Sequence, residues 1–171
     1  MKLNSTIRLE READWARTKI VLDSAFGGLA ESELVSRVRR EVDPYVALLA
    51  DVDGTCVGMI MFTPVMIPGV EEALTLGLAP MAVHPDFQRQ GIGSKLVEAG
   101  LGQAKEMGAV ACVVLGHPGY YPKFGFAPAS EFGLTSEYDV PDGVFMAREL
   151  TPGALGEANG TVRYHSVFAG V

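Results

Sequence analysis

Polar and apolar positions alternate over Ile7-Arg8-Leu9, which predicts a first strand near the start of the chain. Asp14, or a residue just before it, is placed to open a helix carrying Trp15, Ile20, Val21, Leu22 and Phe26, and Gly27-Gly28 closes it. A second short helix is expected over residues 32–40, ended ahead of Pro44 because the residue before a proline avoids the helical region. Residues 45–50 and 55–62 are apolar runs joined by Asp51-Val52-Asp53-Gly54, the clearest hairpin signal in the chain.

The next strand changes phase. Leu74, Leu76 and Leu78 keep one side of the two-residue alternation, whereas Met81 and Val83 keep the other, so one residue is inserted near Ala79-Pro80. Proline cannot donate to a ladder, and a β-bulge there is the economical expectation. After a polar turn, Ile92, Leu96, Val97, Leu101, Ala104 and Met107 form a helical stripe ended by Gly108, and Val110-Ala111-Cys112-Val113-Val114-Leu115 reads as a strand buried on both faces. Strand, helix and strand make a parallel βαβ unit with the glycine turn at the carboxyl end of its first strand, the end at which open α/β sheets bind ligands.

With 171 residues, 48% hydrophobic and 20% charged, the chain is the size of one compact α/β or α+β domain. Residues 1–150 are expected to form it, with 151–171 a C-terminal extension in which Thr161-Val162-Arg163-Tyr164 alternates like a short added strand. There is no internal repeat, and no run approaches the roughly 18 apolar residues of a membrane helix. Nor does the start read as a signal peptide, so a cytoplasmic protein without membrane partners is expected. Cys56 and Cys112 sit in apolar runs without histidines at ligand spacing, which predicts buried free thiols and no metal site. A net charge of −7 argues against a nucleic-acid surface. An acidic protein must hold phosphate with oriented backbone N–H groups and a few cations, here Arg89 and Lys95.

Gly91 and Gly93 at a helix start therefore carry the chemical signal. A P-loop needs Gly-Lys-Ser/Thr, but the order is Gly93-Ser94-Lys95. The dinucleotide fingerprint needs a glycine where Leu96 stands. Gln88-Arg89-Gln90-Gly91-Ile92-Gly93, preceded by Met81-Ala82-Val83-His84-Pro85, resembles the Q/R-x-x-G-x-G/A motif of the GCN5-related N-acetyltransferase (GNAT) family. Tyr120-Tyr121-Pro122-Lys123-Phe124-Gly125-Phe126 is similar to that family's tyrosine-bearing helix and its aromatic-Gly-Phe ending. Gly116-His117-Pro118, Phe145-Met146-Ala147 and Pro152-Gly153-Ala154-Leu155 resemble a bacterial subgroup related to YhbS.

The resemblance implies an α/β (α+β) GNAT fold: a mixed central sheet with a bulged, splayed fourth strand and flanking helices. It implies acetyl-CoA as co-substrate, with pantetheine along the backbone of Met81, Ala82 and Val83 and pyrophosphate over Gln88, Arg89, Gln90, Gly91, Ile92, Gly93 and Ser94. The reaction implied is transfer of acetyl to a primary amine of a small molecule or protein by direct attack. Tyr121 matches the general-acid position, its plainer reading being an aromatic packed beneath the sheet. No acid or histidine lies in residues 73–83, which leaves Glu72 and His117 as weak candidates for a base, and His84 reads as a turn residue. Met59, Met61, Met66 and Met81 read as core filling. Glu131, Glu137, Asp139 and Asp142 form an acidic segment that would suit a cationic acceptor, or is a solvated surface. The rival function is an acyl-CoA-binding regulatory module with little turnover, and a homodimer is the candidate assembly.

Overall fold

The computed structural model describes residues 3–170 and is a mixed α/β structure with a central mixed sheet and flanking helices. The elements are β1 (Ser5–Leu9), α1 (Trp15–Phe26), α2 (Ala30–Glu41), β2 (Val46–Val52), β3 (Thr55–Met66) and β4 (Thr75–Val83). They are followed by α3 (Ile92–Glu106), β5 (Ala111–Leu115), β6 (Ala127–Pro128), β7 (Leu134–Ser136), β8 (Phe145–Glu149) and β9 (Gly160–Tyr164). Among the described residues no helix is long and apolar enough to cross a membrane, and no group of three or more His, Cys, Asp or Glu side chains could hold a metal ion. Two compact units divide the chain: residues through Phe62 with Pro80–Gly102, and Thr63–Ala79 with Gln103 onward.

In the first unit β1 pairs antiparallel with β2, and β2 with β3. The hairpin forms because Asp53 (φ 51°) and Gly54 (φ 81°) both take the left-handed conformation that a two-residue type I′ turn demands. The register shift recorded in that ladder falls between Ala50 and Asp51. Asp14, 3% exposed, begins α1 and gathers Arg8 at 2.8 Å and Arg17 at 2.7 Å, while its Oδ2 accepts the Arg11 N–H. The Arg8 guanidinium foremost, with Arg17, holds its carboxyl well below the usual carboxylate range. A buried Arg39–Glu10 ion pair, with Thr18 Oγ1 donating to Glu10 at 2.7 Å, ties α2 to α1. Both cysteines are buried and free, as expected, and burial pushes the Cys56 thiol up to about 11.

What seats α3 is the absence of side chains. A Cβ on Gly58 of β3 would lie 3.0 Å from Leu96 Cδ1 and 3.3 Å from Ile92 Cγ2, and a Cβ on Gly100 would lie 2.3 Å from the fully buried Phe62 ring. The helix therefore lies closer to β3 than ordinary residues permit, with Ile92, Leu96 and Val97 buried along its inner face.

In the second unit β4 and β5 run parallel with Thr75↔Ala111 through Leu78↔Val114 in register. The pairs end there, while β4 itself continues to Val83. Burial does not follow the phase slip expected from Met81 and Val83. Leu76, Leu78 and Ala82 are buried on one phase, and Met81 and Val83 are half-buried. Pattern alone misassigned them because an apolar side chain on a strand need not face the core. Met59 and Met61 fill the core, but Met66 is 58% exposed at the end of β3. β8 pairs antiparallel with β5 and β6, and β9 pairs with the end of β3 (Val65↔Tyr164) and with β7. The final residues are structural here, since Leu155, Ala158 and Val162 lie in one apolar cluster with Val65, Val113 and Phe145.

The seat of α3 makes a paired prediction. Gly100→Ala should lower stability by about 2 kcal/mol, because Phe62 is enclosed and cannot yield. Gly102→Ala, with nothing within 4 Å, should raise it by up to about 1 kcal/mol through helix propensity. Denaturant melts of the two variants check the sign of each change.

Candidate active site

The cradle starts where β4 ends. The His84 N–H donates to the Val57 carbonyl at 2.8 Å, fastening the strand exit to β3, and Pro85–Phe87 makes one 3₁₀ turn closed by the Phe87 N–H on the His84 carbonyl. Gln88 Nε2 donates back to the Val83 carbonyl at 2.9 Å, so this side chain shapes the loop. Arg89 (φ 62°) and Gly91 (φ 85°) then both turn left-handed around Gln90. Left-handed residues interleaved with ordinary ones are how a backbone forms a concave nest of N–H groups for an anion. Helix α3 begins at Ile92, with the Lys95 N–H on the Gly91 carbonyl as its first turn, so the loop delivers the positive end of the helix at Gly91 and Ile92. Ile92 is buried and anchors the turn, Gly93 and Ser94 are half-buried, and Arg89, Gln90 and Gly91 are exposed. At Gly91 the restriction is conformational: no atom lies within 4 Å of a Cβ, but φ is +85°. Lys95 departs from expectation, its ammonium donating to Ser5 Oγ at 2.9 Å on β1.

Tyr121 opens a 3₁₀ turn, Tyr121–Phe124, in the second unit. Its N–H meets the His117 carbonyl at 3.3 Å, and its ring packs edge-on to Tyr120 at 5.1 Å and Phe126 at 5.7 Å. A Cβ on Gly116, just past β5, would lie 2.2 Å from the Tyr121 ring, so this glycine is the ring's bed. The ring is buried, 8% exposed, and burial foremost pushes the phenol up to about 12. Such a group is a proton donor throughout the physiological range. Tyr120 lies half-buried under the Lys123 ammonium, 4.1 Å from the ring centre.

The histidines share one job. His84, His117 and His165 each use Nδ1 to accept the backbone N–H two residues on, from Asp86 at 3.2 Å, Gly119 at 3.0 Å and Val167 at 3.0 Å. An accepting Nδ1 assigns the proton of the neutral ring to Nε2, so His117 as placed has no free lone pair with which to act as a base. Glu72 is exposed ahead of β4, whereas Tyr121 follows the carboxyl end of the parallel β5. The length of a five-residue strand, about 16 Å, therefore lies between them.

The acidic segment divides by role. Glu137 is structural: its carboxylate accepts the Tyr164 N–H at 2.9 Å and faces Arg163 at 3.5 Å. Asp139 and Asp142, with Ser130, Tyr138 and Phe145, line a cavity of about 240 Å³. The contacts of two residues escaped the sequence reading. Tyr164 lies over Gly77 of β4, 3.0 Å from where its Cβ would stand, and Arg148 Nη1 donates to the Phe124 carbonyl at 2.7 Å. Local periodicity carries no signal for either, because each meets a partner distant in the chain.

Comparison with known proteins agrees with this geometry. The sequence profile of the Acetyltransferase (GNAT) family matches residues 13–126. The chain is 33% identical to the N-acetyltransferase YhbS of Escherichia coli K12, over 95% of this chain and 97% of that one. It is 34% identical to YjhQ from the same organism, over 85% and 84%. The crystal structure of E. coli YhbS in complex with CoA superposes with a TM-score of 0.90, covering 98% of this chain and 93% of that one. A GNAT acetyltransferase from Brucella melitensis in complex with acetyl-CoA, 34% identical, gives 0.77 over 96% and 98%. A left-handed pair, Arg89 and Gly91, ahead of α3, a β4 that outruns its ladder with β5, and likeness over nearly the whole length make this chain a member of the GNAT family of acetyltransferases.

Proposed function

We propose that the protein transfers acetyl from acetyl-CoA to a primary amine by direct attack, with the cradle at residues 88–94 as its pyrophosphate site. The pair of left-handed residues immediately before α3 carries this reading, since it concentrates N–H donors on a protein of net charge −7. The relatives solved with CoA and acetyl-CoA support the choice of ligand. The backbone of Met81, Ala82 and Val83 is proposed to pair with pantetheine, and Gln88, Arg89, Gln90, Gly91, Ile92, Gly93 and Ser94 to receive the diphosphate.

Acetyl-CoA supplies an activated thioester. The amine nitrogen bonds to its carbonyl carbon, the carbon–sulfur bond breaks, and the departing sulfur takes the Tyr121 proton, which the phenolate regains from solvent. The proton released by the amine passes to solvent, because neither Glu72 nor His117 is placed to accept it. The carboxylates of Asp139 and Asp142 favour an acceptor that arrives as a cation.

Gly91→Val should weaken acetyl-CoA and free CoA alike by at least ~10-fold, about 1.4 kcal/mol, since the strained φ distorts the nest. Calorimetry with an unchanged Kd and a normal melt would remove the cradle assignment. Tyr121→Phe should lower kcat by roughly 10² to 10⁴ while acetyl-CoA affinity holds. In thiol-release assays over a panel of amines, CoA binding without release on any amine would identify a regulatory module instead.

The pH profile follows from the same groups. Without a protein base, kcat/KM should climb toward the amine's own pKa. With the Tyr121 phenol up at about 12, no falling limb from loss of the acid should appear below that pH. A plateau near pH 7 would contradict this assignment.

A further inference from the structure

We infer that Arg148 is a positioning residue that holds the Tyr121 turn in its working geometry. The inference rests on the reading of Tyr121 as the acid. The turn is short: four residues, whose buried Tyr121 and Phe124 rings pack inward, with backbone bonds from the Tyr121 N–H to the His117 carbonyl at 3.3 Å and from the Gly125 N–H to the Pro122 carbonyl at 3.0 Å, and a left-handed Gly125 (φ 87°) that ends it. Its last carbonyl, on Phe124, is the kind of terminal group a helix cannot satisfy internally. Arg148 Nη1 supplies the donor at 2.7 Å, and a cation at a helical carboxyl end is favourable in itself.

The side chain is aimed from a rigid base. Arg148 sits on β8 opposite Cys112 of β5, one residue beyond the Ala147↔Ala127 pair of β8 with β6. The turn thus hangs between two fixed ladders. Gly125 fits the arrangement, since a Cβ there would lie 3.1 Å from Arg148 Nε and 3.3 Å from its Cδ. A side chain there would press the guanidinium away by a few tenths of an ångström, and the φ of +87° itself favours glycine. Removing Arg148 leaves the Phe124 carbonyl without this charged donor and frees the segment that sets the direction of the Tyr121 hydroxyl. Displacements of about 1 Å at such a group cost up to ~10²-fold in rate.

The test uses Arg148→Met and Arg148→Lys in the full chain, with two readouts. The first is trypsin cleavage after Lys123, an exposed residue inside the turn, which reports opening without reference to activity. Arg148→Met should accelerate that cut at least ~10-fold relative to other sites, and Arg148→Lys, which keeps a donor, should do so less. The second is turnover. Arg148→Met should lower kcat about 10- to 100-fold with the KM for acetyl-CoA unchanged, and should lower it no further in a Tyr121→Phe background. An unchanged cleavage rate overturns the positioning role. Accelerated cleavage with full turnover, beside an impaired Tyr121→Phe, overturns its bearing on catalysis. Accelerated cleavage beside a fully active Tyr121→Phe upholds the hold on the turn and instead removes the acid assignment.

Discussion

The close approach of α3 to β3 is the constraint on which the proposed cofactor site depends. Gly58 and Gly100 leave room that no other residue would, and Leu96, Ile92 and the Phe62 ring fill it. Packing at this density fixes the helix along its axis as well as above the sheet. The first turn of α3 is therefore held in place before any ligand arrives, and the loop from His84 to Gly91 is fastened at its other end to Val57 and Val83. Preorganised N–H groups do not have to be reoriented on binding, which is where much of their value lies.

A second consequence of burial concerns proton traffic. The Tyr121 phenol is enclosed by Gly116, Tyr120 and Phe126, and the same enclosure raises its affinity for its proton. The residue the sequence left as either acid or packed aromatic is packed, and the packing extends the pH range over which it keeps the proton that the proposed role needs. The three histidines, which a reader of the sequence would search for a base, spend their acceptor nitrogens on local backbone turns.

Much of this was legible beforehand wherever the determinant was local. The Asp53-Gly54 turn, the stripe from Ile92 to Met107 and the glycine spacing at 91 and 93 each act within a few residues, so pattern reports them. Gly58, Gly77 and Gly100 did not stand out, because a glycine's neighbour in space decides its purpose and those neighbours lie up to 87 positions away, as Tyr164 does from Gly77. The same limit hid Arg148 and misled the reading of Met66, whose apolar context continues past the point where the core stops. The phase argument at Met81 failed for a related reason: it assumed that every apolar side chain on a strand seeks the interior.

Each unit is assembled from two stretches of chain that interleave. Residues 80–102 belong with the amino-terminal stretch, and residues 63–79 with the carboxyl-terminal one. No single break in the polypeptide separates the two, and a cut within 63–102 leaves at least one short of a strand or of α3. The protein is thus poorly suited to being split into complementing fragments or grafted as a half-domain, and folding of the amino-terminal unit must wait for sequence that follows the first strand of the other.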